Sequence, residues 1–434
     1  MTSKVHSKRA KRPRPVFFNA AIRRMARQTS WQQRLRAAST ISSFVLADVL
    51  WWLREGIWHI PSTVSAARSC YTIPLFHDVD APSIDVYAPS SIEQLTKAWL
   101  SQENGVRAPN SFTKPIVLYV HGGAWGSGHS SHYSQIATRI VEATESPVLV
   151  LAYRLYPTAL ISDQAEDVKT ALLRIRDAFP SQKVVVFAHS SGAHITSLAL
   201  LQEAQKKSKA TLADVIILTA GPFHLMHHFL FESHRGVALV SPMLPAAAAE
   251  EDHTQFDRWS PTVIAERLST TLKESVTLSL PALEGNLASK NVYLPEVSCV
   301  SEGVPFPKTY VITSTCDTVV PMYSSIRFSA ALRRLGLSAE LLVYDFVTHT
   351  DYVLDWSKGA KPRDRSKILD VENMDPERRK ACVTHLGGED IAALMNDDEQ
   401  AMGTCAPVRD ILRIINAVSV ESEKTRLTDV AQSV

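Results

Sequence analysis

Acidic residues are absent from the first 47 positions of this 434-residue chain, which hold 11 Lys or Arg. The overall charge of +2 hides this, because the remaining residues carry 35 basic against 44 acidic side chains. That slightly acidic remainder lacks the basic patch that nucleic acid requires, so nucleic acid is excluded as a partner. Cysteine is scarce as well. Cys70, Cys299, Cys316, Cys382 and Cys405 are odd in number and widely spaced, with no CxxC pair. Neither a disulfide framework nor a zinc site is expected, which points to a reducing compartment or a luminal one with a stray bridge. Long hydrophobic runs are also missing. The segment ISSFVLADVLWWLREGIWHI (41–60) repeats apolar residues at helical spacing, but Asp48 interrupts it and Arg54-Glu55 end its apolar part. It falls short of the roughly 20 residues that span a bilayer. No small-residue cleavage site of a signal peptide follows it, and the chain has no internal repeat.

What remains is ordinary globular composition, 45% hydrophobic and 21% charged, with ample apolar material for a large core. Residues 1–37 read as a basic, disordered tail, densest at KRAKRPRP (8–15). The alternatives are a contact with anionic membrane, a targeting segment or a nuclear-import patch. Residues 38–69 read as an amphipathic helical segment. It either packs on the following domain or lies in a membrane interface with Trp51, Trp52 and Trp58 at headgroup depth. A membrane surface is therefore an expected partner through residues 1–60. From residue 70 to about 420 the pattern becomes one catalytic domain of alternating strands and helices. Strands are expected at IDVYAP (84–89), KPIVLYVHGG (114–123), PVLVLAYRLYP (147–157), KVVVFAH (183–189), VIILTA (215–220), KTYVITST (308–315) and AELLVYDFV (339–347). Helices are expected over 163–179, 193–207, 323–336 and 407–420. Short apolar strands separated by helices imply an α/β fold with a mostly parallel central sheet covered on both faces. Residues 223–307 interrupt the alternation and read as a helical cap; 357–405 read as a charged insertion and 421–434 as a tail. The oligomeric state stays open.

The chemistry begins at VVVFAHSSGAH (184–194), where an apolar strand runs into a serine turn before a helix. A serine in that setting is held on a tight turn with its hydroxyl at the carboxyl edge of the sheet. The usual pattern is GxSxG; here Gly192 keeps the second glycine and Ala188 stands at the first. Ser191 is the rival nucleophile, but a frame centred on it needs a small residue where His189 stands. A second element, HGGAWGSG (121–128), follows a strand about 70 residues earlier. Its glycines let backbone N–H groups approach a tetrahedral oxyanion. Gly123 and Ala124 are the expected donors, with the N–H of Ser191, and Gly122 and His189 complete the expected oxyanion and substrate-binding set. Asp317, in TSTCDTVVP (313–321), lies at a strand end, and His349, in FVTHTDYVL (346–354), lies just beyond the last strand. Ser190, Asp317 and His349 thus follow the serine, acid, histidine order expected when each sits at the carboxyl end of a strand. Asp345 and Asp351 are backup acids; Asp345 falls inside the strand and Asp351 is too near His349 in sequence to reach behind its ring. Serine attack with histidine as base requires no metal and no organic cofactor.

With those residues placed, HGGAW, the HSSGAH turn and the closing THTD resemble the isoprenylcysteine methylesterase group of α/β-hydrolases. That group lies near the hormone-sensitive-lipase-like and kynurenine-formamidase-like esterases. The resemblance spans roughly 80–357 and includes IDVYAP, AYRLYP (152–157), HHFLFESHRG (227–236) and RWSP (258–261). It implies an α/β-hydrolase fold and a serine carboxylesterase acting on the carboxyl methyl ester of a prenylated cysteine. It also implies residence at endoplasmic reticulum or Golgi membranes, with the cytoplasm as the alternative. A formamidase or a general short-chain carboxylesterase is the alternative activity. A catalytically silent binding module is the alternative of another class, disfavoured because nucleophile, histidine and glycines are all present. Phe223, Leu225, Phe229, Leu230 and Phe231 form either a prenyl site or the core of the cap, and Arg235 is a candidate for a substrate carboxylate. The chain departs from the family pattern at Ala188, at TSTC before Asp317 where a glycine is common, and in the added 357–405 stretch.

Overall fold

The computed structural model describes residues 70–75, 82–89, 114–206, 211–238, 241–249, 252–273, 306–314, 317–344, 347–354, 356 and 407–418, with residues 31 and 96. The expectations for 1–37 (Trp31 apart), 38–69, 274–305, 357–405 and 421–434 fall outside these residues, as do those for Asp345 and four of the five cysteines. Among the described residues no helix is long and apolar enough to cross a membrane.

In chain order the elements are β1 (Tyr71–Pro74), β2 (Ser83–Tyr87), β3 (Ile116–Val120), α1 (Ser134–Thr144), β4 (Val148–Ala152), α2 (Ile161–Ala178), β5 (Val184–His189), α3 (Ser191–Gln205) and β6 (Val215–Thr219). Four helices follow, α4 (Leu225–His234), α5 (Met243–Ala246), α6 (Gln255–Arg258) and α7 (Pro261–Lys273). Then come β7 (Lys308–Ser314), α8 (Met322–Arg334), β8 (Ala339–Tyr344) and α9 (Asp351–Leu354), with a closing helix α10 over 407–418. The eight strands form one sheet in the order β1-β2-β4-β3-β5-β6-β7-β8. β1 and β2 pair antiparallel, as do β2 and β4, and every later pair is parallel.

The central strands are apolar on both faces because helices cover both. Successive side chains alternate across the sheet. Leu118, Val186 and Ile216 therefore meet Leu172 of α2, Leu198 of α3 and Phe328 of α8 on one side. Val117, Val185 and Ile217 meet Ile136 and Ile140 of α1 and Ile411 and Ile415 of α10 on the other. Three elements have no counterpart in the sequence expectations: β1, α1 and the four-residue α9. β1 is a four-residue edge strand with only Ile73 buried. α1 reads SQIATRIVEAT, and its buried stripe is Ile136, Ala137 and Ile140 among polar residues, which gives a faint helical signal.

The strand order positions the site. From β3 the chain moves to β4 on one side and then crosses back to β5 on the other. In an open α/β sheet such a reversal leaves a crevice at the carboxyl ends of the strands concerned. The loop after β3 carries HGGAW and the turn after β5 carries Ser190, so both open at this crevice, with Val120 paired to Ala188 in register.

Candidate active site

Ser190 stands alone between β5 and α3 with φ 53° and ψ −124°. A non-glycine residue in that region is strained and persists only where its surroundings hold it. Here its amide N–H donates to the Thr219 carbonyl at 2.9 Å, extending the β5–β6 ladder by one residue. The turn lies hard against β3. A Cβ at Gly192 would stand 2.3 Å from the Val120 oxygen and 2.4 Å from the His121 oxygen. A Cβ at Gly122 would stand 2.9 Å from that of Ser190. Both positions require glycine because of close approach. Ala188 carries no such constraint: its methyl group is buried in the apolar layer beside β3 and β6, which is why this substitution in the GxSxG pattern is tolerated.

The three predicted side chains come together. His349 Nε2 lies 3.0 Å from Ser190 Oγ, and His349 Nδ1 lies 2.8 Å from Asp317 Oδ2. The other carboxylate oxygen of Asp317 accepts from the amides of Val319 at 2.8 Å and Val320 at 2.9 Å. Burial alone would raise the Asp317 pKa, but the His349 ring and these hydrogen bonds outweigh it and hold the carboxyl below its ordinary value. Asp351 acts on the backbone instead. Its Oδ2 accepts from the Thr348 amide at 2.6 Å and closes the turn that carries His349. Ser191 is fully buried in the first turn of α3, while the Ser190 hydroxyl faces His349, which separates the two rival serines.

The oxyanion candidates divide. Among the described residues, none accepts a hydrogen bond from the amides of Gly123, Ala124 or Ser191. The Gly123 carbonyl accepts from Ser127 N at 2.9 Å and Ser127 Oγ at 2.8 Å, which closes the loop. Gly122 serves as the close-contact residue beneath Ser190, and its carbonyl takes His121 Nδ1 at 2.7 Å and the Tyr133 hydroxyl at 3.2 Å. His189 is held by the histidine loop. Its Nε2–H donates to the His349 carbonyl at 3.1 Å, and its ring lies 4.7 Å from that of His349. The side chain therefore braces the histidine loop.

Sequence reasoning passed over the residues that brace the HGG loop. The His121 ring stacks between Tyr133 and Tyr153, at 5.0 and 4.5 Å, and the Tyr153 hydroxyl donates to the His121 carbonyl at 2.9 Å. Tyr153 belongs to AYRLYP, so that motif is part of the site's support. Of the apolar candidates, Phe223 and Leu225 are fully buried, and Phe223 stacks on Phe328 at 4.2 Å. They are core. Phe229 packs against Phe256, whereas Leu230 is 57% exposed. The Arg235 guanidinium lies 5.3 Å over the Phe231 ring.

His189 and His194 are buried, and both titrate far below an ordinary histidine, at about 3. Burial is the main cause for each. At His189 the neighbouring His349 charge adds to it and Asp317 opposes it. The native protein therefore binds fewer protons than the unfolded chain, whose histidines titrate near 6.5. Stability is expected to fall as the pH drops below 6.5, by about 2 kcal/mol per ring between pH 7 and pH 5. Urea midpoints at those two pH values and fixed ionic strength test this, and equal midpoints contradict it.

A central parallel sheet, a strained serine turn at its reversal point and a serine–histidine–aspartate chain in that order define the class as an α/β-hydrolase. A family model described as the alpha/beta hydrolase fold matches residues 117–352. That is more than half of the chain, and the chain belongs to this family. It is 27% identical over 278 residues to the isoprenylcysteine alpha-carbonyl methylesterase ICME of Arabidopsis thaliana, covering 60% of this chain and 56% of the relative. The chain thus spans little more than half the length of that relative. A shorter stretch of 131 residues is 34% identical to the carboxylesterase/phospholipase LipF of Mycobacterium tuberculosis, covering 30% of this chain and 33% of the relative. Among solved structures, carboxyl esterase 2 of Tuber melanosporum aligns with a TM-score of 0.46 and 15% identity, over 66% of this chain and 80% of that one.

Proposed function

We propose that this chain is a serine carboxylesterase that hydrolyses a carboxyl methyl ester, with a prenylated cysteine as the acid part, through an acyl-enzyme on Ser190. The observation that carries the reaction is the unbroken line from Ser190 Oγ to His349 Nε2 at 3.0 Å and from His349 Nδ1 to Asp317 at 2.8 Å. His349 takes the Ser190 proton as Oγ attacks the ester carbonyl carbon. The carbonyl electron pair moves onto oxygen, where the amides of Ser191 and of Gly123 or Ala124 receive it. Collapse breaks the bond to the methoxy oxygen, which leaves as methanol with the proton from His349. Water, deprotonated by the same ring, then attacks the acyl carbon and releases the free carboxylate and Ser190. Asp317 stays ionised throughout and holds the proton on His349 Nδ1, so the lone pair of Nε2 faces the nucleophile.

The substrate rests on likeness: the match to the Arabidopsis methylesterase covers 60% of the chain, and motifs such as AYRLYP and HHFLFESHRG resemble that group. The stretch similar to the mycobacterial carboxylesterase/phospholipase favours a second reading, a carboxylesterase of broad acyl preference. A panel decides between them. A prenylcysteine methyl ester is expected to give a kcat/KM at least about tenfold above short aryl esters and N-formylkynurenine, a difference of about 1.4 kcal/mol in transition-state binding. Equal or higher values for the short aryl esters select the broad reading, and a preference for N-formylkynurenine selects a formamidase.

A further inference from the structure

The HGGAW loop holds a conformation that its own sequence disfavours. Ala124 and Trp125 are consecutive non-glycine residues with φ 48° and φ 61°. L-residues enter that left-handed region at a steric cost, and runs of them persist only under external constraint. The constraint is visible around Trp125, which is 1% exposed. Its carbonyl accepts from the Tyr156 amide at 2.9 Å and from Gln164 Nε2 at 2.8 Å. Its indole Nε1–H donates to His194 Nδ1 at 3.2 Å, and the two rings meet edge-on with centroids 5.3 Å apart. His194 Nε2–H in turn donates to the Trp259 carbonyl at 2.7 Å.

The proton positions along these hydrogen bonds have one solution. An indole nitrogen only donates and a carbonyl only accepts. The imidazole between them must therefore be neutral, with its proton on Nε2. His194 sits on α3, the helix whose first residue, Ser191, supplies one oxyanion amide in the mechanism above. Its ring reaches across to the loop that supplies the other. One side chain thus links the helix that carries one donor to the loop that carries the other, and both to the Trp259 carbonyl at the entrance to α7.

We propose that His194 is a positioning residue for the oxyanion hole: through the Trp125 indole it holds the Ala124–Trp125 backbone in its left-handed turn and so keeps the donors aimed at the transition-state oxygen. This rests on the esterase reading of Ser190. An oxyanion contact strengthens as charge develops, so loosening it lowers kcat and leaves ground-state binding nearly unchanged. His194→Leu removes both hydrogen bonds, whereas His194→Gln retains an acceptor for the indole and a donor for Trp259.

With p-nitrophenyl acetate as substrate, His194→Leu is expected to lose about 10- to 100-fold in kcat, approaching the loss of a single oxyanion donor, with KM within about twofold. His194→Gln is expected to recover most of that loss. Wild-type kcat in folded His194→Leu overturns the proposal, as does a loss that lies in KM or one that His194→Gln shares in full. Should His194→Leu fail to fold, Trp125→Phe removes the indole donor while keeping an aromatic ring in place, and the same split in kcat and KM is expected; unchanged kcat there overturns the proposal. Ser190→Ala assayed alongside separates the two readings. Activity in Ser190→Ala removes the esterase reading, whereas an inactive Ser190→Ala beside a fully active His194→Leu removes only the role of His194.

Discussion

Replacing Ser190 by alanine is expected to lower kcat/KM for an ester substrate by about a millionfold, the loss typical of a serine nucleophile that works as a unit with its histidine. The size follows from how little else the site offers in its place. Ser191 is the adjacent hydroxyl, but it is fully buried in the first turn of α3. The His349 Nε2 is aimed at Ser190 Oγ. What survives in Ser190→Ala is the oxyanion amides and the bound substrate, which accelerate reaction with water only modestly. The backbone of the turn is held by the Thr219 carbonyl and by the glycine contacts with β3, none of which involves the serine oxygen, so the variant is expected to melt like the wild type. Steady-state hydrolysis of p-nitrophenyl acetate beside a thermal melt checks both parts. A loss under tenfold in a folded variant removes Ser190 as nucleophile.

The second large effect concerns the acid. Asp317→Asn is expected to lower kcat by about 10⁴-fold, because an amide in that place no longer secures the tautomer that leaves Nε2 free to accept the serine proton. Asp351→Asn is expected to change kcat little. Its side-chain oxygen accepts from the Thr348 amide to close a turn, and an asparagine oxygen does the same. The pair of variants therefore discriminates between two carboxylates that are both close to His349 in the chain or in space. Comparable losses in the two, measured by single-turnover hydrolysis, contradict the assignment of Asp317.

The framework was open to sequence reasoning because its signals are local. Continuous apolar runs such as VVVFA and VIIL announce burial on both faces, and a serine turn between strand and helix announces a sheet edge. The order of Ser190, Asp317 and His349 then supplied what no single motif did. Other parts were hidden for physical reasons. α1 buries only a thin stripe, and β1 is a short edge strand. Adjacency to the nucleophile suggests an oxyanion or substrate role for His189, but the partner of its ring, the His349 carbonyl, is 160 residues away in sequence. Trp125 and His194 are separated by 69 residues, and neither residue type signals such a bond until the strand order brings the HGGAW loop against α3. The support of a site is long-range by construction, since rigidity comes from elements that pack around it.

The central claim is that the Ser190 oxygen carries the acyl group. Treating the wild-type protein with a fluorophosphonate and mapping the adduct by peptide mass spectrometry tests it directly. A single phosphonyl group on Ser190, formed in step with loss of esterase activity and missing from His349→Ala, is the expected result. An adduct on Ser191 or elsewhere, or full turnover by a protein that takes no label, contradicts it.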